Sequence, residues 1–179
     1  MRIATLPLLA LALAAAIGCR SNFAITRDSS VSLAGYGALH VAPFGREGDW
    51  ASDPKHGPYT ENGCRQMQDR VIAHAAQSGL FGDVGEGEGG DGALVLRASL
   101  TEYNPGNRAL RWLGAGGSGR ILTHVTLHDG ASGEELAAGQ AWAQVGGGAY
   151  GGDFDRAWPY CADGIWRLLY TLHVRSAGR

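Results

Sequence analysis

The sequence predicts an α/β chain of the α+β kind, a two-layer sandwich in which two helices pack on one face of a mainly antiparallel sheet. Three observations carry this reading. Apolar residues alternate with period two in three stretches between residues 94 and 145. They recur at helical spacing in 61–78 and again in 158–172, and the glycine-, proline- and asparagine-rich turns fall between these stretches. Consecutive strands flanked by amphipathic helices bury their apolar faces most simply as one helical layer on one sheet.

In chain order, residues 36–44 read as a mostly buried strand, with Leu39 and Val41 on one side, stopped by Pro43. In 61–78, Cys64, Met67, Val71 and Ala75 recur at intervals of three and four, which predicts a helix capped by Thr60 or Asn62 and ended by Gly79. Residues 82–92 are dense in glycine and acid and read as a loop. Leu94, Leu96, Ala98 and Leu100 alternate into a strand that ends near Tyr103, before the turn Asn104-Pro105-Gly106-Asn107. Ile121, Thr123, Val125 and Leu127 mark a second strand, joined to a third over 136–145 by Asp129-Gly130-Ala131-Ser132-Gly133 as an antiparallel hairpin. Gly139, Ala141 and Ala143 keep one face of that strand small, so a helix can approach it closely. Trp158, Cys161, Ile165, Leu168 and Leu172 form the stripe of a last helix that starts near Asp155 or Trp158, because Pro159 is tolerated only in a first turn.

The N-terminus has a different grammar. Arg2 precedes an apolar run from Ile3 to Ile17 that includes Pro7 and is shorter than the roughly 20 residues a spanning helix needs. It reads as a signal peptide. Ala16-Ile17-Gly18-Cys19 resembles the bacterial lipobox, which makes Cys19 the residue expected to carry lipid; ordinary secretion with an incidental Cys19 is the alternative. Arg20 stands where an aspartate would imply inner-membrane retention, so the expected address is the periplasmic face of the outer membrane, with the membrane itself as first partner through the lipid. The expected organisation is a signal peptide over 1–18, a polar tether over 19–34 and one α/β domain over 35–179.

Composition excludes one class. The formal net charge is −2, Lys55 is the single lysine and the arginines are scattered, so no basic stripe exists to displace phosphate counterions and no nucleic-acid partner is expected. Two cysteines remain besides Cys19. In an oxidising compartment Cys64 and Cys161 are disulfide candidates, closing a loop of about 97 residues for roughly 4 kcal/mol; two buried thiols are the other reading.

Arg108, Arg111 and Trp112 form the most concentrated polar and aromatic cluster, a candidate binding surface that Trp142, Tyr150 and Trp158 join only if the loop at 146–152 folds back; aromatics that merely close the end of the core are the plainer reading. The glycine-rich segment before Arg120 leads into a strand where a phosphate loop needs a lysine and a helix. Ser118 lacks the spacing of a nucleophile elbow. His124 and His128 share a strand face but lie about 13 Å apart at strand rise, too far for one zinc. No metal, no cofactor and no catalytic residue is expected.

The stretch Tyr103-Asn104-Pro105-Gly106-Asn107-Arg108-Ala109-Leu110-Arg111-Trp112, followed by glycines at 114–119, the hairpin at 129–133 and glycines at 146–152, resembles the DUF4410 family of bacterial lipoproteins. The resemblance covers most of the chain from Tyr36 to the last helix. It implies a lipoprotein signal and a compact α/β domain and supplies no catalytic residues. The expected role is therefore noncatalytic support of an envelope assembly through a protein partner, with a small-molecule or glycan-binding module as the alternative. An exposed sheet edge or apolar patch favours the first, and a pocket lined by tryptophan and arginine favours the second.

Overall fold

The computed structural model describes residues 20–107, 109–110, 117–146 and 153–178. Seven strands form one open sheet: β1 (Arg20–Arg27), β2 (Ala38–Val41), β3 (Gly45–Arg46), β4 (Asp83–Glu86), β5 (Ala93–Asn104), β6 (Gly119–Asp129) and β7 (Glu135–Val145). Two long helices, α1 (Gly57–Ser78) and α2 (Ala157–Ala177), lie side by side on one face. The strand order is β1-β7-β6-β5-β2-β4, with β3 added beside β5. The β5-β6-β7 meander and β1 are antiparallel, whereas β2, β3 and β4 run parallel to their neighbours. The α+β sandwich expected from the sequence is the fold observed.

Each strand of the meander shows why it forms. Ile121, Thr123, Val125 and Leu127 of β6 are buried beneath the helices, while Leu122, His124, Thr126 and His128 face the open side. Asp129 closes the β6–β7 turn. Its carboxylate accepts the backbone N–H groups of Ala131 and Ser132, the Ser132 hydroxyl and, at 2.8 Å, the Tyr36 phenol. The Ser132 backbone bond is the largest of the effects that hold this carboxyl down at about 2, below its ordinary 3.8. The same contact, after burial, pushes the Tyr36 phenol up to about 12. A lowered carboxyl stabilises the folded state fully above its unfolded value and loses that contribution as pH falls through the folded one. Denaturant midpoints should therefore fall between about pH 4 and about pH 2, and Asp129→Asn should start lower and lose that part of the acid slope.

The helices follow the expected stripes. Cys64, Met67, Val71 and Ala75 of α1 are buried, and Gly79 ends the helix in the left-handed region at φ 68°. The helix begins a turn earlier than the pattern implied, at Gly57, with Pro58 in its first turn. Thr60 is no cap: its hydroxyl donates back to the His56 and Gly57 carbonyls at 2.9 and 3.0 Å. In α2, Trp158, Cys161, Ile165, Leu168 and Leu172 are buried as the spacing required. The Asp163 carboxylate joins the helices by accepting Arg70 Nε at 2.7 Å and meeting His74 Nε2 at 3.0 Å. Burial pushes this carboxyl up, but the two partners together outweigh it and hold it below the ordinary range.

Small residues on β7 let α2 approach. A Cβ at Gly139 would strike Leu168 and lie 2.7 Å from the Ala24 carbonyl oxygen, and one at Gly164 would lie 3.0 Å from the Asn22 carbonyl oxygen. These contacts also place β1, which falls inside the tether expected over 19–34. Instead of a tether, Arg20–Arg27 forms the outermost strand of the sheet, Phe23 opposite Ala141 and Ile25 opposite Gly139. The physical reason is that an edge strand needs apolar groups on one face only, and Phe23 and Ile25 supply them by packing against the core.

Candidate functional site

The end of the sheet where β5 finishes carries an aromatic cluster. A bulge between Leu100 and Glu102 inserts one residue, so Tyr103, which strict alternation would turn to the open side, pairs with Ile121 and faces the helices. Its ring stacks on Trp158 with an interplanar angle of 8° and meets Trp50, His56 and Tyr59 at centroid distances of 5.6, 5.4 and 6.0 Å. Trp158 is fully enclosed, and its Nε1 donates to the Tyr59 hydroxyl at 3.2 Å. That hydroxyl in turn donates to the Asp155 carboxylate. Burial first, then Asp155, raises the Tyr59 phenol, and burial raises that of Tyr103, so both stay neutral donors at any physiological pH. Trp50, His56, Tyr59 and Tyr103 are half-buried, and Leu110 on the adjoining segment is 41% exposed.

A second region is a polar cleft of about 490 Å3 at the carboxyl ends of β2 and β4, beside α1. Ligands of open α/β sheets favour that position. Arg46, Glu61, Arg65, Asp69 and Glu86 line it together with Cys64. Arg46 is already engaged: it donates to the Gly57 and Ala51 carbonyls at 2.6 and 3.3 Å and pairs with Glu61 at 3.5 Å. Arg65, Asp69 and Glu86 are exposed, so the surrounding water screens them. Among the described residues no tryptophan lines the cleft.

The two cysteines are separate thiols. Cys64 Sγ faces the Gly45 carbonyl of β3 at 3.9 Å, whereas Cys161 Sγ faces Thr123 and the Ala141 carbonyl between β6 and β7, both at 3.6 Å. They are aimed at different strands, and no bond joins them in this structure. Burial is the main cause that pushes Cys64 up to about 11 and Cys161 up to about 12. Since the thiolate is the nucleophile, neither is poised for covalent chemistry at neutral pH.

Of the residues singled out in the sequence, Cys19, Arg108, Arg111 and Trp112 lie outside the described residues, as does Tyr150. Trp142 and Trp158 do not converge. Trp142 pairs with Leu122 and Asn22 on the open face, while Trp158 is in the core on the other side, its indole against Gly63. The plainer reading of Trp158 as core is the one the structure bears out. His128 is held by the Gly133 carbonyl and Thr126, and among the described residues no group of three His, Cys, Asp or Glu side chains gathers as a metal site. Sequence reading missed the ring cluster around Tyr103. Its members come from four separated segments, and the bulge that turns Tyr103 inward leaves no mark in the alternation.

Among the described residues both rim strands, β1 and the four-residue β4, and one ridge of α2 lack a partner of their own kind. Among the described residues β1 pairs on its β7 side alone, so its outer side presents backbone donors and acceptors. On α2, half-buried Trp166 and exposed Tyr170 and Val174 fall at intervals of four along one ridge, Trp166 stacking on His74. Among the described residues no helix is long and apolar enough to cross a membrane.

Residues 21–149 match the model of the family described as Domain of unknown function (DUF4410). The chain belongs to this family. No curated protein matches this DUF4410 chain. Among solved structures, a point variant of the PelC dodecamer from Paraburkholderia phytofirmans is similar at 15% identity and TM-score 0.50, over 82% of this chain and 96% of that one. Protein XCC0632 from Xanthomonas campestris is similar at 14% identity and TM-score 0.50, over 80% and 92%. Lipoprotein GNA1162 from Neisseria meningitidis matches at 14% identity and TM-score 0.44, over 79% and 98%. At these identities the likeness is one of fold.

Proposed function

We propose that this DUF4410 protein is a noncatalytic lipoprotein, acylated at Cys19 and held at the periplasmic face of the outer membrane, where it supports an envelope assembly through the open edge of its sheet. The observation that carries the reading is β1: a strand of eight residues at the rim of the sheet, paired on one side. Strand addition to such an edge supplies main-chain hydrogen bonds without a preformed pocket. The similar PelC structure is a dodecamer, a property of that protein, and copies of this chain are the first partner we assign to the edge. The chemistry of the cleft agrees with a noncatalytic role, because its one buried nucleophile is a protonated thiol and its other charges are exposed or already paired.

Two experiments test this. Cys19→Ala should move the protein from the membrane to the soluble periplasmic fraction and abolish palmitate incorporation. Light scattering on the acylated protein in detergent should give an oligomer, and paired Ala24→Lys and Thr26→Lys changes on exposed positions of β1 should reduce it to monomers with an unchanged melting temperature. A wild-type chain that is monomeric, and that crosslinks to nothing in intact cells, sinks the assembly reading.

A further inference from the structure

Strand β1 begins at Arg20, the residue that follows Cys19 in the sequence. Arg20, one peptide unit or about 3.8 Å from Cys19, is already paired with Gln144. Gln144 is paired with Arg120, and Arg120 with Asn104, so one row crosses β1, β7, β6 and β5. At strand spacing this row is about 14 Å long. No tether separates the acyl acceptor from it, which leaves the domain little freedom to tilt away from the surface that holds the acyl chains.

We infer that this end of the sheet lies against the lipid bilayer, with Trp50, Tyr59, Tyr103 and Leu110 set at the depth of the headgroups. The inference rests on acylation of Cys19. Tyr103 adjoins Asn104 at the end of the row, and Trp50 and Tyr59 surround it at ring-contact distances. Tyrosine and tryptophan suit this depth because each presents an apolar body and a polar tip, which is why they concentrate in membrane-interface belts. Among the described residues at this end, Lys55 and Arg156 stand beside Asp49, Asp53 and Asp155, and Arg120 pairs with Glu102 at 3.6 Å, so cations and carboxylates are interspersed. The occupant assigned to this end is the lipid interface itself, through its aromatic rings. The opposite end, the β6–β7 turn, stands an eleven-residue strand away, about 35 Å into the periplasm.

The test uses the acylated chain in phosphatidylethanolamine vesicles with and without phosphatidylglycerol, carrying a nitroxide at Ser52→Cys or at Ala131→Cys. Both positions are exposed, and the buried native thiols resist labelling. The label at Ser52 should collide several-fold less with an aqueous nickel chelate and several-fold more with oxygen than the label at Ala131, equally in both lipid mixtures. Trp50→Phe should also reduce tryptophan quenching by brominated lipid. Equal nickel collision at the two positions in vesicles that carry the protein overturns the orientation while leaving the anchor intact. Protection at Ser52 that persists in the unacylated Cys19→Ala chain in buffer, without vesicles or detergent, overturns it in favour of a protein contact. Failure of the protein to float with vesicles removes the acylation reading, and the orientation with it.

Discussion

Trp158→Ala should lower the stability of the domain by about 3–5 kcal/mol, the range for truncating a large buried aromatic side chain, and its melting temperature by on the order of 10 °C. The indole is 2% exposed and fills the junction of both helices with the sheet. A Cβ added at Gly63 on α1 would lie 2.5 Å from Trp158 Cδ2, so the indole packs directly on the α1 backbone and is itself the spacer between the helices. Removing the ring leaves a void that neither helix can close without leaving its own strand, and it strips the Tyr59 hydroxyl of a donor. Urea midpoints with an unchanged slope are the measurement. Trp158→Phe separates the two losses: it keeps most of the packing and forfeits the indole N–H, a cost of about 1 kcal/mol. A truncation that costs no more than the Phe replacement would mean that the junction repacks and that the ring is not the spacer between the helices.

Gly139→Val should destabilise by about 3 kcal/mol, at the upper end for overpacking, and should loosen β1 before any other strand. Leu168 can turn aside from a new side chain, but the Ala24 carbonyl oxygen is backbone and cannot. The strain is therefore relieved most cheaply by moving the outermost strand, which has a single neighbour among the described residues. Amide exchange across β1 should rise several-fold while β5 and β6 keep their protection. Uniform loss of protection over the whole sheet would show that β1 is integral to the cooperative unit instead of its first part to open.

How much of the fold is legible in the sequence depends on where each element finds its energy. The meander and both helices carry their own signal, because Leu94 to Leu100, Ile121 to Leu127 and the α2 stripe each bury a full face, and burial writes its period into the chain. Strand β1 escapes such a reading because an edge strand is half solvent-exposed. Asn22, Ala24 and Thr26 are polar or small, and two apolar residues, Phe23 and Ile25, are too few to establish a period. Strand β4 sits in a stretch that reads as loop for a related reason. Asp83–Glu86 is four residues long and borrows its stability from β2, paired Leu39 to Val84, a contact invisible to local pattern. The Tyr103 cluster is hidden by the bulge, whose extra residue inverts every expectation of facing beyond Leu100. The family resemblance is legible because it rests on contiguous residues from Tyr103 onward, which need no three-dimensional information to compare.

The pairing of the first strand with the last has a further consequence for how the molecule is made. Phe23 and its cross-strand neighbour Ala141 lie far apart along the chain, and closing so long a loop is a slow, entropically costly step. The three-strand meander, with its local connections, can order by itself in the meantime, exposing the flank of its last strand. The docking of β1 on β7 is thus the closure of the molecule's longest loop between paired strands, a step that the order of its sheet places late.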